Sequence, residues 1–267
     1  MSTLIDIHTS ETQPFILLPA CINGKGPFSF VLDTGAGVSI VTEDLARTLA
    51  LQNLEAKDAL GAGDSRISLQ LGNASLMSVE GATVENTRVA VMKSLPKCVG
   101  QGVIGYDFLK HFVLTLDYPH NELTLTADGD YDNHERCSTL PLKLARPDRP
   151  IILMEVFVNA RGSYQFVLDT GASQTVVSPA LAEEMSVMST QQDKVVGAAG
   201  AVTSSSATLK SLRIQDVLVE DVQVIVSDIF SPINQAVGTI IDGILGYNLL
   251  RNFRIIIDYP NGTLHLK

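Results

Sequence analysis

The 267-residue sequence predicts an all-β fold of two pseudo-symmetric, β-barrel-like lobes with a few short helices. Three observations lead there. The chain contains an internal repeat of about half its length. Its apolar content lies in short runs of Val, Ile, Leu and Phe separated by turn formers. Its helical stretches are few and brief.

The repeat is plain on inspection. Residues 22–36 read INGKGPFSFVLDTGA and residues 158–172 read VNARGSYQFVLDTGA, aligned without a gap. A second block closes each half: GVIGYDFLKHFVLTLDY at 102–118 and GILGYNLLRNFRIIIDY at 243–259. A weaker third match pairs VENTRVAV (84–91) with VEDVQVIV (219–226). The second half is five residues longer between its outer blocks, with the surplus expected around SPINQAVGTIID. The polar stretch ADGDYDNHERCST (127–139) reads as a linker, which places one lobe at 1–130 and the other at 138–267.

Each unit opens with two strand-like runs, FILLPACI and FSFVLD in the first and IILMEVFV and YQFVLD in the second. The glycine-containing pieces NGKG and NARG between them predict hairpin turns. Short β-branched runs follow, VSIVT and QTVVS, and then a short helix in each half, TEDLARTLAL and SPALAEEMSV. Ser178 followed by Pro179 supplies a capping hydroxyl and a proline at the first helical position. The small-residue stretches LGAGDSRISLQL and VVGAAGAVTSSSATL predict mobile hairpins. GYDFLKHF and GYNLLRNF predict one further short helix per half, each leading into a strand.

Composition narrows the function. The net charge is −10 and no Lys/Arg cluster occurs, so the positive field that nucleic acid requires is absent. No apolar stretch approaches the length of a membrane span, and the N-terminus has no basic start followed by an apolar segment. A cytoplasmic protein, with neither nucleic-acid nor membrane partner, is expected. Cys21, Cys98 and Cys137 are odd in number and widely spaced, which suits free thiols in a reducing compartment. The five histidines are scattered, with no HExxH or His/Cys cluster, so no metal site and no cofactor is expected. Signatures of Ser, Lys or Cys nucleophiles are missing too.

One DTG triplet is an ordinary turn. Two copies, each after a buried-looking FVL run and one per repeat, carry chemistry. Two carboxyl groups at hydrogen-bonding distance share a proton, because both cannot ionise easily. The ionised member can take a proton from water while the protonated member gives one to a substrate carbonyl oxygen. Asp33 and Asp169 are the candidates. Asp117 and Asp258, repeated in LDYP and IDYP, read instead as strand ends before turns, and Tyr106 and Tyr247 as packing residues.

The paired DTGA motifs, with VIG at 103–105 and ILG at 244–246, resemble the aspartic peptidase superfamily, most nearly its retropepsin-like branch. The resemblance covers nearly the whole chain, twice over. It implies the bilobal fold of that superfamily, with Asp33 and Asp169 as the catalytic pair. It implies that Thr34 and Thr170 cross-link the two loops through reciprocal hydrogen bonds. Gly35 and Gly171 would let backbone approach the carboxylates, and Gly105 and Gly246 would pack beneath the loops. Ala36 and Ala172 would border the substrate. The segments around Gly61, Gly63, Gly197 and Gly200 would be flaps over an extended peptide or protein substrate. Duplication would let one chain act as a monomer. Pepsin-like members carry Ser or Thr where this chain has Ala36 and Ala172, which implies an optimum nearer neutral. The alternative reading is a peptidase-like module that binds peptides without cutting them.

Overall fold

The computed structural model describes residues 2–60, 66–96, 99–127, 140–187, 191–197 and 200–267. It is β-rich, and the chain divides into two compact units. One comprises Met1–Lys57, Ser68–Lys143 and Arg251–Lys267, the other Asp58–Ile67 and Leu144–Leu250.

The first repeat builds a seven-stranded sheet. Strands β2 (Leu17–Ile22) and β3 (Lys25–Leu32) form the expected hairpin. Its turn residues Asn23 and Gly24 both have positive φ, as the right-handed twist of a tight hairpin demands. β3 runs parallel to β8 (Gly102–Ile104). β8 is antiparallel to β4 (Ser39–Thr42), which is parallel to β7 (Ala82–Met92). Then come β6 (Arg66–Val79) and, outermost, β5 (Gln52–Leu60). β6 also pairs back to β2, Ala20 opposite Val79, which closes six of the strands into a ring. Phe30, Leu32, Val41, Met77, Val89 and Ile104 are buried there. Helix α1 (Glu43–Leu49) starts at Thr42, whose hydroxyl accepts from the Leu45 amide. Helix α2 (Tyr106–Leu109) follows β8 directly.

The second repeat builds the same sheet in the same order. β13 (Arg149–Val158) and β14 (Arg161–Leu168) form the hairpin, followed by β19 (Gly243–Leu245), β15 (Val176–Val177), β18 (Val217–Ser227), β17 (Gly200–Ile214) and β16 (Gln191–Gly197). Again the ring closes, through Val156 opposite Ile214. A short strand, β12 (Lys143–Arg146), extends the sheet beside β13. Helix α3 (Pro179–Glu184) is capped by the Ser178 hydroxyl with proline in its first turn, as expected. Helix α5 (Tyr247–Leu250) mirrors α2.

The extra length of the second half forms a helix, α4 (Phe230–Val237). It closes over a cluster in which Phe230, Val237 and Ile241 pack with Leu153, Val167, Val176 and Ile244. Burying this apolar set is what orders the insertion.

A third sheet has six antiparallel strands, in the order β1 (Ser2–Asp6), β10 (Glu122–Ala127), β9 (Phe112–Asp117), β20 (Arg254–Asp258), β21 (Thr263–Leu266) and β11 (Leu140–Pro141). It belongs to the first compact unit, including the last segment of the chain. At its centre β9 pairs with β20, and Thr115 faces its repeat counterpart Ile256. Asp117 and Asp258 end these strands as expected. Their Oδ1 atoms accept from the His120 and Asn261 amides at 3.1 and 2.9 Å. Cys21 is a free thiol. Cys98, Cys137 and the linker stretch 128–139 lie outside the described residues. Among the described residues no helix is long and apolar enough to cross a membrane.

Candidate active site

Each DTGA segment leaves the end of a central ring strand and is tied to its neighbour. The Asp33 amide donates to Ile104 O at 3.0 Å, and the Asp169 amide to Leu245 O at 3.2 Å. The chain then turns tightly, with the Ala36 amide on Asp33 O and the Ala172 amide on Asp169 O, both at 3.3 Å. In that turn the carboxylate oxygen faces backbone N–H groups. Asp33 Oδ1 accepts from Gly35 N at 2.8 Å and Ala36 N at 2.9 Å. Asp169 Oδ1 accepts from Gly171 N at 2.8 Å. Such bonds orient a carboxylate and favour its ionised form. Both aspartates are partly exposed, whereas Thr34 and Thr170 are each only 1% exposed.

The two loops rest on matching supports. Ala36 O accepts from Tyr106 N and Ala172 O from Tyr247 N, both at 2.8 Å. Gly105 and Gly246 lie directly under this contact. A Cβ on Gly105 would come within 2.8 Å of Ala36 O, and one on Gly246 within 2.3 Å of Gln174 O, so only glycine fits without backbone movement. A hydroxyl braces each glycine, Ser39 Oγ accepting from Gly105 N at 3.1 Å and Thr175 Oγ1 from Gly246 N at 3.2 Å.

The brace ends on different residues in the two halves. In the first, Asp107 Oδ1 accepts from both Ser39 N (2.6 Å) and Ser39 Oγ (2.7 Å). In the second, Asn248 Oδ1 accepts from Thr175 N (2.7 Å) and Thr175 Oγ1 (2.9 Å). Burial pushes the Asp107 carboxyl up to about 6, against the lowering effect of the Ser39 hydrogen bonds. The Tyr259 hydroxyl is buried with no hydrogen-bond partner among the described residues, and its ring meets Tyr106 edge-on at 5.7 Å. Burial first, then the charges of Tyr106 and Asp33, hold this phenol far above its ordinary range, so it stays neutral.

Of the expected flap residues, Gly197 and Gly200 face each other at the end of the β16–β17 hairpin. Gly61 and Gly63 lie outside the described residues. Among the described residues no group of three or more His, Cys, Asp or Glu is placed to hold a metal ion. Asp107 and Tyr259 were not singled out from the sequence. The signal for Asp107 is Asp in GYD against Asn in GYN at the same place of the two aligned blocks.

Comparison with protein families matches the aspartyl protease model twice, over residues 18–108 and 154–249. The chain belongs to the aspartyl protease family. Its two matches coincide with the two repeats, so this family member carries the protease unit in tandem. Comparison with curated proteins gives no match. Among solved structures the chain is similar to a retropepsin-like aspartic protease from Rickettsia conorii. The two are 17% identical with a TM-score of 0.36, over 47% of this chain and 90% of that one. The DTGA loops, with Asp33 and Asp169, fall inside the two segments matched by the aspartyl protease model.

Proposed function

We propose that the chain is an aspartic endopeptidase that hydrolyses peptide bonds with a water activated between Asp33 and Asp169. One observation carries this reading. Each repeat presents one aspartate at the same place in the same sheet, with its Oδ1 held by the following glycine amide at 2.8 Å in both. Family membership supports it.

In this mechanism the pair holds one proton between two carboxyl groups and titrates as a unit. The ionised member takes a proton from water as the water oxygen bonds to the scissile carbonyl carbon. The protonated member donates to the carbonyl oxygen. Collapse of the tetrahedral intermediate breaks the C–N bond, the proton taken from water passes to the leaving amine, and a hydroxyl of the intermediate returns its proton to the other carboxylate as the carbonyl re-forms. No covalent intermediate and no cofactor enters. The substrate is a peptide or protein, and a single chain supplies both carboxylates, so the monomer is the active form.

The test is cleavage of a diverse peptide library across pH by the purified wild type, Asp33→Asn and Asp169→Asn. Turnover that falls by about 10²–10⁴-fold or more in each single variant is expected. Turnover that survives either substitution rejects the paired mechanism. Folded wild type that binds peptides without cutting them at any pH makes the chain a binding module instead.

A further inference from the structure

Beneath their DTGA loops the two repeats place different groups at one half-buried position, Asp107 in the first and Asn248 in the second, and the difference is chemical. Asn248 uses both ends of its amide. Its Oδ1 holds Thr175, and its Nδ2 donates to the Gln223 carbonyl at 2.7 Å. Asp107 occupies the equivalent place and holds Ser39 through Oδ1 in the same way. Its Oδ2, however, is buried and without a hydrogen-bond partner among the described residues. The counterpart of Gln223 is Arg88. The parallel pairing of Val176 with Ile225 repeats that of Ile40 with Ala90, and two residues earlier on each partner strand stand Gln223 and Arg88. Alignment of VENTRVAV with VEDVQVIV gives the same equivalence.

By this equivalence the Asp107 Oδ2 takes the place of an N–H group that donates to a carbonyl in the other repeat, and two acceptors facing each other away from water repel. Adding a proton to Oδ2 turns the clash into an O–H donor, which reproduces the amide geometry of the other half. We propose that Asp107 is a positioning residue that braces the Asp33 loop in its protonated form. Its Oδ2–H donates to the Arg88 carbonyl while its Oδ1 holds Ser39, and so it braces Gly105 beneath the Asp33 loop. Loss of that proton loosens the brace.

Other charges do not account for this state. Helix α2 packs against β4, β7 and β9. β4 carries no ionisable side chain. On β7, Glu85 and Arg88 are exposed. On β9, Asp117 sits at the far end, paired with His120 and Arg254. Lys110 and His111 follow the helix. The causes acting on Asp107 are burial, which raises its pKa, and hydrogen bonds from Ser39, Phe108 and its own backbone, which lower it.

The sign follows from linkage. The folded value, about 6, lies above the ordinary 3.8, so the folded protein binds this proton more tightly than the unfolded chain. The stabilisation is full below pH 3.8 and is lost as pH rises through about 6. Asp107→Asn supplies a permanent N–H donor and removes the loss.

The experiment is thermal unfolding of the full chain between pH 4.5 and 8, for wild type, Asp107→Asn, Asp107→Ala and the reciprocal Asn248→Asp. At pH 8 the midpoint of Asp107→Asn should exceed that of wild type by about 2–8 °C, with the gap closing towards pH 4.5. Asp107→Ala should lie below Asp107→Asn throughout. Asn248→Asp should unfold near the wild-type temperature at pH 4.5 and fall below it as pH rises. A constant offset between Asp107→Asn and wild type at every pH overturns the proposal. So does a pH-independent effect of Asn248→Asp, which carries the test alone if Asp107→Asn does not fold. The readout needs no turnover, so a failure of the peptidase reading leaves the result interpretable.

Discussion

At the scale of single residues, Ala36 and Ala172 are the positions from which a hydroxyl would bear on the two aspartates. The Ala36 amide already lies 2.9 Å from Asp33 Oδ1, so a serine hydroxyl there would fall beside the same carboxylate. A hydroxyl donor favours the ionised form and lowers the carboxyl pKa. Without one, the wild type should work nearer neutral pH than pepsin does. Ala36→Ser combined with Ala172→Ser should move the acid limb of the pH–rate profile down by about one unit, the shift one charge-assisted hydrogen bond supplies. An unmoved acid limb would show that the alanines do not set the optimum. Asp33 and Asp169 were legible in the sequence because the same triplet follows the same apolar run twice. Asp107 was not, because Asp and Asn look alike in a pattern of apolar and polar letters. What separates them is burial beside a backbone carbonyl, which only the fold supplies.

At the scale of elements, two small features of the second half can be weighed, the glycine under its DTGA loop and the cap of α3. Gly246→Ala would drive a Cβ to 2.3 Å from the Gln174 carbonyl oxygen and 2.4 Å from its carbon. Backbone must yield, and a loss of about 1–3 kcal/mol in unfolding free energy is expected by denaturant titration. The cap of α3 is milder. Ser178→Ala removes the acceptor for the Leu181 amide and should cost about 1 kcal/mol, read in the same titration. The hairpins, the ring strands and both capped helices could be read locally, from turn residues, β-branched runs and Ser-Pro. Strands β1 and β11 could not, because their partners, β10 and β21, lie more than a hundred residues away. Helix α4 escaped for a different reason. Among the described residues it has no counterpart in the first half, and its apolar face has meaning only against Leu153, Val167 and Ile244.

At the scale of the whole molecule, the repeat announced two copies of one sheet, and the matching strand orders bear that out. How the copies share the third sheet was not written in the repeat, since β9 and β20, which pair, lie more than a hundred residues apart. That sharing has a measurable cost. Ending the chain after Leu250 removes β20 and β21 and leaves β9 with an open edge, a template for pairing with other chains. The truncated protein should self-associate and lose its cooperative unfolding transition, as light scattering and calorimetry would show. A truncated monomer with the wild-type midpoint would mean that the sheet stands without its last strands. The same arrangement governs birth on the ribosome. Most of the first unit emerges early, yet Arg251–Lys267, which completes it, is translated after the second unit, Leu144–Leu250. Until that segment emerges the nascent chain carries an unfinished sheet, so the first-made unit finishes folding only after the second has been translated.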